Sequence, residues 1–140
     1  MKSTLIDAGP LIALFDKDDK YHKPVKEFLK SYKGKLITTL PVITEVTHLL
    51  DFNIKVQIDF LKWIERGAID IFDLKINHFS RIIQLAEKYS DVPMDFADGS
   101  MIIIAEETGK KDIITIDSDY HIYKIKGKSF FNNLLQAYMK

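Results

Sequence analysis

Apolar residues are distributed along this chain in two alternating rhythms. Short continuous runs occur at Thr4–Ile6, Leu36–Thr39, Ile69–Phe72 and Ile113–Ile116. Their length and β-branched content predict buried strands. Between them apolar positions recur every three or four residues, the spacing of helix faces. Val25, Phe28, Leu29 and Tyr32 form one such face. Pro41 opens a second helix that runs through Leu50, and a proline suits a helix start because its missing N–H would be unpaired there anyway. A third helix is predicted from Val56 to Arg66, with Gly67 as its stop. A fourth spans Asn77 to Tyr89, carried by Phe79, Ile82, Ile83 and Ala86. The last starts near Asp95 and ends at Gly109; its block Met101-Ile102-Ile103-Ile104-Ala105 has no polar side and predicts an interior helix.

Strands alternating with helices imply an α/β fold, with a central, mainly parallel sheet of four to five strands covered by helices on both faces. The chain has 140 residues and shows no repeat, low-complexity tract or Pro/Gly/Ser linker, so residues 1–140 are read as a single domain. No apolar stretch approaches the roughly 18 residues of a membrane span, and Met1-Lys2-Ser3-Thr4 leads straight into a strand without a signal-peptide pattern. The absence of cysteine removes disulfides and thiolate metal sites. A cytoplasmic enzyme or binding domain is the expectation. Twenty basic and twenty acidic residues balance, so a nucleic-acid partner gains nothing from global charge. Locally, Lys23, Lys26, Lys30 and Lys33 line the polar side of the first amphipathic helix. Such a stripe ordinarily means a solvated face, with phosphate contact as the alternative.

Candidate chemistry lies in the acids. Asp7 closes the first strand and Asp117 the last, while Glu45 and Asp98 fall early in two apolar helices. In an open α/β sheet the carboxyl ends of strands and the amino ends of the following helices meet at one crevice, so one acidic pocket can collect all of them. Asp95, three residues before Asp98, shares its helix face. Each acid also has a structural reading. Asp7 before Ala8-Gly9-Pro10 suits a turn or cap, Asp117-Ser118-Asp119 an Asx turn, Asp95 an N-cap, and Glu45 a first-turn partner of the helix dipole. The set taken together favours a site. Carboxylates crowded into a cleft repel one another and raise each other's pKa until a cation is bound. Oxygen-only ligands select hard ions, and His22, His48, His78 and His121 show no zinc-site spacing, so Mg²⁺ or Mn²⁺, as one or two ions, is the expected cofactor. Such ions activate water and stabilise a leaving oxygen, which is the chemistry of phosphodiester hydrolysis.

The segments Leu5-Ile6-Asp7-Ala8-Gly9-Pro10-Leu11, Thr44-Glu45-Val46, Met94-Asp95-Phe96-Ala97-Asp98 and Thr115-Ile116-Asp117 stand in an order and spacing that resemble PIN-domain ribonucleases, and within them VapC-type toxins. The resemblance covers nearly the full length. It implies a metal-dependent endoribonuclease, the toxin of a type II toxin–antitoxin pair, with catalytic acids at Asp7, Glu45, Asp98 and Asp117. Asp95 would be a fifth metal ligand and Thr115 a supporting hydroxyl. It further implies an RNA substrate, a cognate antitoxin and a homodimer; that no membrane is involved is expected from the lack of a long apolar stretch. Ala8 departs from the Ser or Thr that many relatives carry after the first Asp. Leu11, Phe15, Phe52 and Trp63 are candidates for an apolar partner groove, although such helical positions are more often core.

Other classes fit less well. A response regulator needs an acid pair after the first strand, a haloacid-dehalogenase-type phosphatase needs an Asp where Gly9 stands, and no phosphate loop or G-x-G-x-x-G turn is present. The remaining alternative is a catalytically silent PIN-like RNA-binding or protein-interaction scaffold.

Overall fold

The computed structural model describes residues 2–139; Met1 and Lys140, the outer limits of the predicted single domain, lie outside the described residues. Strands β1 (Ser3–Ile6), β2 (Lys35–Thr39), β3 (Ile69–Phe72) and β4 (Asp112–Ile114) are the four apolar runs, shifted by a residue or two at their ends. Helices α1 (Ala8–Phe15) and α2 (His22–Ser31) join β1 to β2. Helices α3 (Leu40–Leu49) and α4 (Ile54–Glu65) join β2 to β3, and α5 (Phe79–Lys88) and α6 (Phe96–Thr108) join β3 to β4. After β4 come a small antiparallel pair, β5 (Lys124–Ile125) and β6 (Ser129–Phe130), and then β7 (Asn132–Asn133).

The main sheet has five strands in the order β3-β2-β1-β4-β7, and every pairing in it is parallel. Right-handed crossovers from β1 to β2 to β3 lay α1 to α4 over one face. The return from β3 to β4 passes in the other direction and lays α5 and α6 over the opposite face. The expected α/β/α arrangement is therefore present, at the upper end of the predicted strand number.

Helix ends fall where local chemistry stops them. Gly67 follows α4 at φ +89°, and Gly109 caps α6 at φ +73°, left-handed conformations that a side chain would strain. Asn53 caps α4 by accepting from the Lys55 amide. Helix α6 is the interior element: every residue from Ala97 to Ala105 is buried. It runs against β1 and β2, joining Leu5, Ile6, Val42, Val46, Ile113 and Ile114 in one core. The few polar groups there are satisfied. Thr38 Oγ1 donates to the Ile6 carbonyl (2.8 Å), and the Thr39 and Ser100 hydroxyls share a 2.7 Å hydrogen bond.

Of the four candidates for an apolar groove, three follow the commoner reading of such helical positions and join the packing. Leu11 is fully buried, and Phe15 and Trp63 are half-buried, packed edge-on at 5.3 Å beside Phe60. Phe52 alone of the four is exposed. Two aromatic rings that bury each other gain more than either gains at a surface, which is why Phe15 and Trp63 belong to the packing instead. Among the described residues no helix is long and apolar enough to cross a membrane.

Candidate active site

The strand order reverses direction at β1. The chain leaves β1 toward β2 on one side, and β4 returns to its other side. At such a switch point the loops after the two strands diverge and leave a crevice at their carboxyl ends. Asp7 directly follows β1, and its amide donates to the Ile114 carbonyl of β4 at 3.1 Å, which fixes it beside the neighbouring strand end. Thr115, Ile116 and Asp117 directly follow β4. The amino end of α6 brings Asp98 to the same place.

One carboxylate oxygen from each of Asp7, Asp98 and Asp117 lies within 4.8 Å of the other two. Asp7 and Asp98 are buried and Asp117 is half-buried. With Ala8, Gly9, Ile12, Glu45, Leu49, Asp95 and Ile116 these acids line a cleft of about 320 Å³. Among the described residues the ion pairs are Lys2–Asp112, His78–Glu107 and Arg81–Glu106, so none neutralises the cluster. The lysine stripe of α2 lies elsewhere. Lys26 and Lys30 line a hollow with Gly34, Leu36 and Ala68, at the amino ends of β2 and β3, the opposite edge of the sheet.

The crowding is visible in the acidities. Burial pushes the Asp7 carboxyl up to about 7, and the charges of Asp98 and Asp117 add to it, while the Ala8 amide and the Thr115 hydroxyl pull it back. Burial also pushes Asp98 up to about 6, with Asp95 and Asp117 contributing and the Tyr123 hydroxyl opposing. Glu45 is raised by burial first and then by Asp95 and Asp117, which places it within the same electrostatic field.

The turn and cap roles weighed from sequence are partly real. Asp95 caps α6: its Oδ1 accepts from the Asp98 amide at 2.8 Å, and its exposed side chain stands on the rim of the cleft. Asp117 forms the Asx-type turn, Oδ1 accepting from the Asp119 amide at 2.9 Å. That bond leaves its second oxygen unengaged by the turn. Asp7 occupies the N-cap position of α1, yet its side chain makes no cap hydrogen bond. Its bond goes instead to Thr115, whose Oγ1 donates to Asp7 Oδ2 at 3.1 Å and accepts from the Asp117 amide at 3.0 Å. Glu45, in the second turn of α3, faces the cleft but stands outside the group of three converging oxygens.

Sequence reasoning passed over two tyrosines. Tyr120 and Tyr123 both donate to Asp98, to Oδ1 at 3.3 Å and to Oδ2 at 3.0 Å. The available signal was their spacing. They stand three apart just past Asp117, Tyr120 within the 3-10 turn over Ser118–His121 and Tyr123 two residues beyond its end.

The donor set fits a divalent cation. It is made of oxygen only, two of its three members are buried, and among the described residues no basic side chain pairs with them; such a cage is costly unless a hard cation shares it. Beside the cleft, a wider groove of about 700 Å³ shares Glu45 and Asp95 and is otherwise lined by Leu40, Pro41, Thr44, His48, Phe96 and Ala97. An extended ligand crossing the acids would enter it.

An α/β/α sheet with an acidic crevice at its switch point defines the class of fold. The family model of the PIN domain matches residues 4–128, and the chain belongs to that family. Ribonuclease VapC26 of Mycobacterium tuberculosis is 24% identical over 115 residues, which cover 81% of this chain and 85% of that protein. The crystal structure of VapC20 of M. tuberculosis, described as a toxin that cleaves the sarcin-ricin loop, superposes with a TM-score of 0.76 at 13% identity, covering 84% of this chain and 92% of that one.

Proposed function

We propose that this protein is a metal-dependent endoribonuclease that hydrolyses RNA phosphodiester bonds and acts as the toxin of a type II toxin–antitoxin pair. The observation that carries the reading is the convergence of Asp7, Asp98 and Asp117 within 4.8 Å at the crevice of the sheet, with no ion-pair partner among the described residues. The similarity to a ribonuclease and to a toxin that cleaves the sarcin-ricin loop supports RNA as the substrate. A cytoplasmic location goes with this reading.

Asp7, Asp98 and Asp117 would hold Mg²⁺ or Mn²⁺, as one or two ions, with Glu45 and Asp95 at the rim as further ligands. When bound, a divalent cation lowers the pKa of water and offsets the charge that develops on the leaving oxygen. Glu45 orients the attacking water and accepts its proton. Burial, and then Asp95 and Asp117, raise its pKa, which makes its carboxylate a stronger base. Thr115 holds Asp7 and the Asp117 backbone in register.

Two exposed apolar faces support protein partners. Leu49, on the cleft, continues through Phe52 to Ile54, Ile58 and Leu61, which follow one face of α4. An antitoxin segment laid on this stripe would reach the acids and block them. On the other side, Ile76, Phe79 and Ile83 follow one helical face, Phe79 meets Phe96 at 5.6 Å, and Leu40 lies across the same groove. This second face suits a homodimer.

The test is cleavage of a pool of structured RNAs with Mg²⁺, with Mn²⁺ and with excess EDTA, running Asp98→Asn in parallel. Cutting that requires metal and is lost in the variant is the expected result. Absence of both cutting and Mn²⁺ binding in a folded protein would replace this reading with the silent scaffold.

A further inference from the structure

Both oxygens of the Asp98 carboxylate accept a hydrogen bond from a tyrosine. Tyr120 reaches Oδ1 at 3.3 Å and Tyr123 reaches Oδ2 at 3.0 Å. The torsion that turns a carboxylate about its last bond is soft and broad, so an untethered aspartate at the mouth of a cleft sweeps its oxygens through a wide arc. A donor on each oxygen removes that freedom. We propose that Tyr120 and Tyr123 are positioning residues, whose two hydroxyls hold the Asp98 carboxylate in the orientation in which it converges with Asp7 and Asp117 for a divalent cation. The proposal rests on the metal-centre reading above and extends it to residues outside the acid set.

The chemistry of the donor matters as much as its position. A lysine or arginine in the same place would orient Asp98 equally well but would cancel its charge and compete with a cation. A phenol orients without adding charge. A carboxylate has about four lone-pair sites, so one bond per oxygen leaves acceptor capacity on each. A phenol ordinarily titrates at about 10, so each tyrosine keeps its proton at neutral pH and remains a donor.

The rings are themselves held fast. Tyr123 is fully buried, edge-on to Tyr89 at 5.0 Å and to Tyr120 at 5.2 Å, and Tyr120 packs edge-on against Phe131 at 5.4 Å. The Tyr89 hydroxyl accepts from the Lys124 amide at 2.9 Å and so ties the segment carrying both tyrosines to the end of α5. A support can orient a ligand only as well as it is oriented itself, and this cluster leaves the two hydroxyls little room. Tyr89 does not touch Asp98, so its variant separates a loosened segment from a lost bond to the carboxylate.

The experiment is Mn²⁺ titration calorimetry on the full chain, comparing wild type with Tyr123→Phe, Tyr120→Phe, the double variant, Tyr89→Phe and Asp98→Asn. Phenylalanine keeps each ring and its packing and removes only the hydroxyl. Partners that orient metal ligands are typically worth 10–100-fold in metal affinity. Tyr123→Phe is expected to weaken Mn²⁺ binding roughly tenfold and Tyr120→Phe, with its longer bond, by less, the double variant approaching about a hundredfold. Tyr89→Phe, which loosens the segment but leaves both bonds to Asp98, should cost less than Tyr123→Phe. Wild-type affinity in both Asp98-linked variants would overturn the assignment while leaving the metal centre intact, and so would an equal loss in Tyr89→Phe, which would mark the cluster as general scaffolding. Should Tyr123→Phe fail to fold, Tyr120→Phe alone still decides. A wild-type protein that binds no Mn²⁺ would overturn the metal centre and this proposal with it.

Discussion

Thr115 and Asp7, 108 residues apart in the sequence, are joined by a 3.1 Å hydrogen bond from the threonine hydroxyl to carboxylate Oδ2. The same hydroxyl accepts from the Asp117 amide at 3.0 Å, so one buried oxygen links the ends of β1 and β4. Thr115→Val keeps the shape, removes the donor to Asp7 and strands the Asp117 N–H. Mn²⁺ affinity should fall by about 10–100-fold, the range for groups that orient metal ligands. Thr115→Ser retains the oxygen and should bind as wild type. Equal affinities for the valine and serine variants in a titration would remove Thr115 from the site.

Without metal, the acid cluster makes stability depend on pH in a defined sense. Asp7 titrates at about 7 and Asp98 at about 6 in the folded chain, against about 3.9 for an unfolded aspartate. The native state therefore takes up these protons first, and the stabilisation is complete below the unfolded value. It is lost as pH rises through about 6 to 7. In EDTA, Tm should be higher at pH 5 than at pH 8. Asp7→Asn should melt above wild type at pH 8 and show a smaller gap. Saturating Mn²⁺ should raise the wild-type Tm at pH 8, by about 2.7 kcal/mol of stability at a hundred times its Kd. Thermal melts of the two proteins at the two pH values check all three expectations.

Much of this arrangement is legible in the sequence because the interior strands and helices declare themselves. The four apolar runs are strands, and the featureless block in α6 is an interior helix, since burial on all sides leaves no polar face to maintain. The acids could be placed at strand ends and helix starts, and the switch-point rule then brings them together. Helix α1 was harder to read: Ala8-Gly9-Pro10 reads as a turn, and tertiary packing of Leu11 and Ala13 overrides that local signal. The region after Asp117 was opaque. Its strands are two residues each, too short for any period to show, so β7 and the tyrosine pair could not be assigned. Nor does spacing reveal which oxygens converge; that Asp95 caps α6 while Asp98 turns inward depends on where the helix begins.

Glu45 separates binding from chemistry. It faces the cleft from α3 but lies outside the three converging oxygens, and its pKa is raised by burial and by Asp95 and Asp117. Glu45→Gln keeps the side chain's size and removes its basicity. Mn²⁺ affinity should change by less than tenfold, while single-turnover RNA cleavage falls by about 100–10,000-fold, the usual contribution of a general base. A loss of affinity as large as that of Asp98→Asn would make Glu45 a principal ligand instead. Metal titration beside single-turnover kinetics distinguishes the two roles.

The apolar face beside the wider groove makes a prediction about assembly. Ile76 and Ile83 are 85% and 57% exposed, and with Phe79, Phe96 and Leu40 they form more contiguous apolar surface than isolated exposed residues would explain. A second copy meeting this face would bury it on both chains, because a two-fold interface uses the same patch twice. Light scattering should then report twice the 16.2 kDa of one chain. Placing charge at both isoleucines, as Ile76→Glu with Ile83→Glu, should halve that mass. Because both side chains already face solvent, the substitutions should leave the fold of each chain unchanged, which far-UV circular dichroism verifies. A wild-type mass equal to one chain would leave this surface to some other partner.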